Sequence, residues 1–302
     1  MRLESHYLNF IRDNNLVNII NPKTLNYLKE YSAYRQEKTI TLVSDAVILF
    51  NHLIQNKIRF YILKGFYLTN FLYKDITLRD LRDIDILINK KDINQVSKIL
   101  KNLEYESKNI NNNEVLLQDR YDLPEFTNKN NSCIEIHFRL SLPSHYKKCP
   151  YAKSFFNESK INQFGSLNLN SSSIENQIIY LIYHGIKKQY IDGGLIFIND
   201  IYHFFKYDNP DVDLIVHKAK NLHLNKELRL TLQTINKYSD IYIEFQNNNP
   251  ASDKVLEGFT DIVLMNNIKS KYLRNFFPVI NFSKFNKKRD SADFMEIINE
   301  LF

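Results

Sequence analysis

Cysteine is nearly absent, with only Cys133 and Cys149 in 302 residues. Two are too few for a disulfide framework, and they lack the CxxC spacing of a zinc site, so both are expected to be reduced and structural. No apolar run approaches the roughly 18–20 residues that cross a bilayer, so no membrane span is expected. The opening segment MRLESHYLNF has neither the apolar stretch nor the small-residue cleavage site of a signal peptide. That points to the cytoplasm. Internal repeats are missing, as is any low-complexity linker long enough to separate independent domains.

What is present is ordinary for a globular chain: 44% hydrophobic and 25% charged residues, enough for a packed core. The net charge of +6 and a pI near 9.0 favour anionic partners. Basic residues are scattered apart from KFNKKR at 284–289, which reads as a solvated tail or an anion-binding patch.

The first 57 residues read as helical, with TITLVSDAVILFNHLIQNK carrying apolar residues at helical spacing. IRFYIL (58–63) reads as a strand that ends in Lys64-Gly65, where a strand-to-helix turn lets the backbone approach a ligand. A second strand is expected over 82–89, then an amphipathic helix in KKDINQVSKILKNL with Ile93, Val96, Ile99, Leu100 and Leu103 on one stripe. Asn-rich residues near 107–114 suggest a hairpin loop, and EVLLQDRYDL and CIEIHFRL two further strands. Beyond Pro150 the texture turns helical, with two or three helices expected over 211–278 after the serine-capped SSIENQIIYLIYHGIKKQY and GGLIFINDIYHFFKY. The chain divides into an α+β part, 1–150, and a mainly helical part, 151–302, with the junction near 141–172.

Within the second strand, LRDIDILIN alternates with period two, so Asp83 and Asp85 share one face while Ile84 and Ile86 share the other. Two adjacent carboxylates repel. A raised pKa on one of them, a salt bridge or a bound divalent cation must offset the repulsion.

YILKGFYL, then TLRDLRDIDILIN, then CIEIHFRL, in that order, resemble the uncharacterised nucleotidyltransferase family of the DNA polymerase β-like superfamily. YHGIKKQYIDGGLIFINDIYHFF is similar to that family's helical segment, and the resemblance spans roughly residues 40–206. It implies an α+β polymerase β-like core, a mixed sheet flanked by helices, followed by a helical C-terminal region. It further implies transfer of an NMP group from an NTP to an acceptor hydroxyl or phosphate, releasing pyrophosphate, with Mg²⁺ or Mn²⁺ as cofactor. Such a reaction builds up negative charge that two divalent ions about 3.5–4 Å apart can meet. Asp83 and Asp85 supply two ligands, and Glu135, an acid between Ile134 and Ile136, is the best third. By resemblance Glu135 also helps remove the acceptor's proton. A bond to Arg139 or Arg120 is its alternative.

Gly65 matches the superfamily glycine whose turn meets the triphosphate, but Phe66 stands where Gly or Ser is common. Lys64 supplies a point charge to the phosphates or pairs with an acid. Arg79 matches a family arginine, for phosphate or acid-cluster contact, with a salt bridge to Asp80 or Asp83 as the alternative. His137 shares the face of Glu135 and suits a hydrogen bond to a ligand better than direct ligation, since Mg²⁺ prefers oxygen. His184, before Gly185, matches the resembled segment, as does Asp200; a satisfied core histidine competes with nucleotide contact for His184. Tyr180, Tyr183, Phe197 and Phe204 read as core, one of them available to stack on a base.

Small metabolites, sugars, peptides and proteins are the expected acceptors. A tRNA acceptor, as in toxin-like transferases, ranks lower without an evident RNA-binding module. The competing readings are an inactive nucleotide-binding or scaffold protein and a basic RNA-binding protein whose acids are structural. Without metal, replacing Asp83 or Asp85 by Asn is expected to be neutral or stabilising, because like charges are relieved.

Overall fold

A computed structural model gives the fold and describes residues 4–107, 120–140, 157–188, 196–246 and 250–268. Most of the expected Asn-rich loop, most of the strand expected over 114–123, Cys149 and the basic cluster at 284–289 lie outside the described residues. The chain divides into two compact units, Glu4–Gln177 and Met1–Leu3 with Ile178–Phe302.

In the first unit, helix α1 (Glu4–Asp13) packs on α2 (Pro22–Gln55). Proline at the first helical position and the Asn21 side chain, accepting from the Lys23 N–H at 2.9 Å, start the long helix. Its buried stripe repeats every three or four residues: Leu25, Leu28, Ser32, Thr39, Leu42, Ala46, Leu49 and Leu53. Three members of that spacing, Ser32, Arg35 and Thr39, are polar.

A mixed sheet lies beside these helices: β1 (Phe60–Ile62), β2 (Ile84–Ile88), β3 (Glu106–Ser107), β4 (Phe126–Thr127) and β5 (Cys133–His137), in the order β1-β2-β5-β4-β3. β2 and β5 run parallel; the other pairs are antiparallel. Every residue of β2 is buried, so both faces of the sheet are covered there. Helix α3 (Lys64–Tyr67) follows β1, and α4 (Ile93–Asn102) follows β2, burying Ile93, Val96, Ile99 and Leu100 as the sequence stripe requires.

A hairpin, β6 (Ser159–Phe164) and β7 (Leu167–Ser172), turns at Gly165, whose φ of 57° suits a two-residue connection. It packs on β1, and its Phe164 ring meets Phe66 edge-on at 5.4 Å. Phe66 in turn meets Phe50 at 5.1 Å, so the residue that replaces the usual small one anchors α3 in the core.

In the second unit, α5 (Ile174–Ile182), which carries the chain across the division, continues into a π-helical stretch over Tyr183–Lys188. Helices α6 (Ile196–Tyr207), α7 (Val212–Asn221) and α9 (Asp253–Ile268) all pack on α8 (Asn225–Tyr238). A Cβ on Gly185 would sit 2.7 Å from the Phe197 ring, so only glycine allows that approach. Among the described residues no helix is long and apolar enough to cross a membrane. The architecture is α+β, a mixed sheet flanked by helices and followed by helices, as the sequence leads one to expect.

Candidate active site

The segment before β2 is stitched to the N-terminal helices. Arg35 donates to the Leu81 carbonyl at 2.7 Å, the Leu81 N–H donates to the Thr39 hydroxyl, and Arg82 donates to the Tyr31 hydroxyl. Asp80, buried, pairs with Arg35 at 3.4 Å and accepts from Ser5. These contacts explain Arg35 and Thr39 on α2's buried face, while Ser32 shares a hydrogen bond with Ser5. They fix where β2 begins, and so where its acids point.

Parallel pairing then sets Asp85 beside Glu135 and Leu87 beside His137. The period-two alternation places Asp85, Glu135 and His137 on one face and Ile84, Ile86, Ile134 and Ile136 on the other. At the end of β1 the Leu63 N–H donates to the Asp85 carbonyl at 3.0 Å, so the next residue, Lys64, arrives next to Asp85.

The Lys64 ammonium lies 2.5 Å from Asp85 Oδ1 and 3.9 Å from Glu135 Oε2. His137 Nε2 lies 2.8 Å from the same Asp85 oxygen and 3.4 Å from the same Glu135 oxygen. Ligand atoms of Asp85, Glu135 and His137 fall within 4.8 Å of one another. Burial disfavours charge on Glu135, but the hydrogen bond from His137 and the Lys64 charge outweigh it and hold its carboxyl at about 2. Asp85 and His137 are fully buried; Asp83 and Glu135 are half-buried, so the acids open to solvent on that side.

Among the described residues the buried His137 Nδ1 has no hydrogen-bond partner, which bears on the role of the ring. Facing two ionised acceptors, Nε2 carries the proton. Histidines that ligate metal ordinarily donate their other N–H to a partner, and Nδ1 has none among the described residues. The donor set therefore suits a hard cation on carboxylate oxygens, with His137 orienting Asp85 and Glu135. Tyr121 stacks on the His137 ring at 5.9 Å and 14°, a contact that spacing alone did not reveal.

Asp83 immediately precedes β2 and is near enough to act on the charge of Glu135, but it lies outside the tight Asp85–Glu135–His137 group. Glu135 bonds to Lys64 and His137, while Arg120 pairs with Asp122 at 3.7 Å and Arg139 donates to the Arg120 carbonyl. Arg79 is buried beside Gly65 and donates to the Asp80 carbonyl at 3.2 Å; Asp80's carboxylate goes to Arg35. A Cβ on Gly65 would sit 2.9 Å from Leu81 Cδ1, so the room the glycine leaves is filled by Leu81. His184 belongs to the second unit, in the π-helical stretch, half-buried with its ring 6.0 Å from that of Tyr180; Asp200 is buried in α6 of the same unit. Burial, with nearby Glu125, Asp83, Glu135 and Asp85, pushes the Cys133 thiol up to about 12, which disfavours the thiolate a nucleophile needs.

Relief of repulsion is not what replacing Asp85 would bring. Its charge is already met by an ammonium and an imidazole N–H, so the metal-free expectation drawn from the sequence reverses at this position.

No curated protein matches this chain in sequence. Among solved structures, the chain is similar to an antigenic nucleotidyltransferase-like protein from Paracoccidioides brasiliensis. The identity is 16%, covering 63% of this chain and 91% of that one, with a TM-score of 0.38. A family model described as "uncharacterised nucleotidyltransferase" matches residues 2–240, which takes in both the acid-bearing strands and the His184 segment. The chain belongs to that family.

Proposed function

We propose that the protein is a metal-dependent nucleotidyltransferase that moves an NMP group from an NTP to an acceptor hydroxyl or phosphate on a small molecule, peptide or protein, releasing pyrophosphate. The observation that carries this reading is the pairing of Asp85 with Glu135 across parallel strands, with an edge open to solvent at Asp83 and Glu135. Asp83, Asp85 and Glu135 would hold Mg²⁺ or Mn²⁺ on their oxygens. Such ions, when bound, offset charge on the transferring phosphoryl group and orient it.

The chain's own residues do the rest. His137 donates to Asp85 and Glu135 and keeps both carboxylates aimed at one place. A carboxyl held at about 2 stays ionised at neutral pH and is a weak base, which favours Glu135 as a charge holder over a proton acceptor. Lys64 is in reach of any phosphate brought to the acids, and Arg79 and Gly65 shape the turn that presents it. His184 is proposed, from the family resemblance, as a nucleotide contact. A cytoplasmic setting, where NTPs and Mg²⁺ are abundant, suits this chemistry.

Calorimetric titration with an NTP and Mn²⁺ tests the site. Wild type is expected to bind, and Asp83→Asn and Asp85→Asn to lose the metal-dependent part; unchanged titrations in both variants would overturn the reading. Incubation with each labelled NTP and candidate acceptors, followed by mass measurement, then identifies the donor and the acceptor.

A further inference from the structure

Lys64 is held in an unusual way for a residue that merely neutralises surface acids. Its φ is 36°, in the left-handed region that strains a side-chain-bearing residue. Here the Leu63–Asp85 backbone bond fixes the residue before, and buried Gly65 and Phe66 fix the two after. The result is an ammonium, on a flexible four-carbon stem, aimed at Asp85 and Glu135 together.

A cation joining Asp85 Oδ1 and Glu135 Oε2 needs the place that the Lys64 ammonium now takes against those oxygens. Asp85 Oδ1 accepts from Lys64 and His137 at 2.5 and 2.8 Å. An ammonium and a divalent ion at this separation repel strongly in a half-buried site. They exclude one another.

We propose that Lys64 is a built-in counter-cation. It holds the Asp85–Glu135 pair in the metal-free protein, gives way when a divalent ion enters, and then pairs with the phosphates of the nucleotide that arrives with it. This rests on the reading that these carboxylates take a divalent ion. It adds that metal alone binds weakly, and that metal and nucleotide bind cooperatively because the displaced ammonium gains a phosphate partner only when both are present.

Mn²⁺ binding, read by electron paramagnetic resonance, tests this in wild type, Lys64→Met and Asp85→Asn, with and without a non-hydrolysable NTP analogue. Without nucleotide, Lys64→Met is expected to bind Mn²⁺ at least tenfold more tightly than wild type. With the analogue, wild type is expected to gain at least fivefold in Mn²⁺ affinity, and Lys64→Met to lose most of that gain. Asp85→Asn is expected to lose the site. Equal Mn²⁺ affinity in wild type and Lys64→Met, with binding lost in Asp85→Asn, overturns the counter-cation and leaves the metal site standing. Absence of Mn²⁺ binding in wild type and Lys64→Met alike overturns both. A second measurement needs no variant: acetic anhydride labelling of Lys64 in wild type, read by mass spectrometry, is expected to rise severalfold on saturation with Mn²⁺. Labelling that stays constant overturns the proposal.

Discussion

Asp85→Asn separates two opposite accounts of the metal-free site. If the acids chiefly repel, removing one charge stabilises the fold. If Lys64 and His137 already balance them, removing it strands an ammonium against a single carboxylate. Asp85 is 1% exposed and accepts at 2.5 and 2.8 Å from these two groups. Breaking a buried ion pair costs about 3–5 kcal/mol. Glu135 remains 3.9 Å from the ammonium and can take part of the charge, which brings the expected loss to about 2 kcal/mol. For a unit of this size that lowers Tm by about 4–8 °C. The chain has no tryptophan, so far-UV circular dichroism in EDTA is the suitable probe. Mn²⁺ should then raise the Tm of wild type, through binding to the folded state, and leave Asp85→Asn unmoved. A Tm for Asp85→Asn equal to or above that of wild type in EDTA would refute the balance derived from the geometry.

Glu135 provides a pH test. Its carboxyl is held down at about 2 against an ordinary value of 4.5, so the stability it contributes is present above the ordinary value and is lost as pH falls toward the folded one. The stability gap between wild type and Glu135→Gln should be constant above about pH 5 and shrink between pH 4.5 and 2; a gap that widens on acidification would contradict the assigned contacts. Gly65→Ala puts a methyl 2.9 Å from Leu81 Cδ1 and should cost about 1–3 kcal/mol in chemical denaturation. Combining it with Leu81→Ala should cost less than the sum of the two single changes; strict additivity would show that the glycine serves something other than this contact. At pH 8 the native protein should leave Cys133 unmodified by iodoacetamide, since its thiol is pushed up to about 12, and rapid labelling would show that the thiol is not shielded.

Much of the local pattern at the candidate site was legible from the chain alone. Alternation is a local property, so Asp-Ile-Asp-Ile-Leu-Ile and Cys-Ile-Glu-Ile-His declare strands with acids on one face before any pairing is known. The amphipathic stripe of α4 and the Lys64-Gly65 turn were readable for the same reason. Register between strands is not local. That Asp85 meets Glu135 follows from β2 and β5 running parallel with Ile84 opposite Ile134, a choice made by packing on both faces of the sheet.

The signs of the electrostatics were also out of reach. Whether two like charges repel or are balanced depends on what the fold brings beside them. Here it brings Lys64, in a left-handed conformation no pattern announces, and His137, from another strand. Arg35 and Thr39 left a trace, as polar residues on an apolar helical stripe; their purpose, holding the segment that leads into β2, exists only once α2 lies against it. The amino-acid sequence by itself determined which side chains share a strand face, because periodicity acts over a few residues. Only the tertiary structure decided which charges meet, because a contact between residues 52 apart in sequence, such as His137 with Asp85, is set by packing of the whole sheet and its helices.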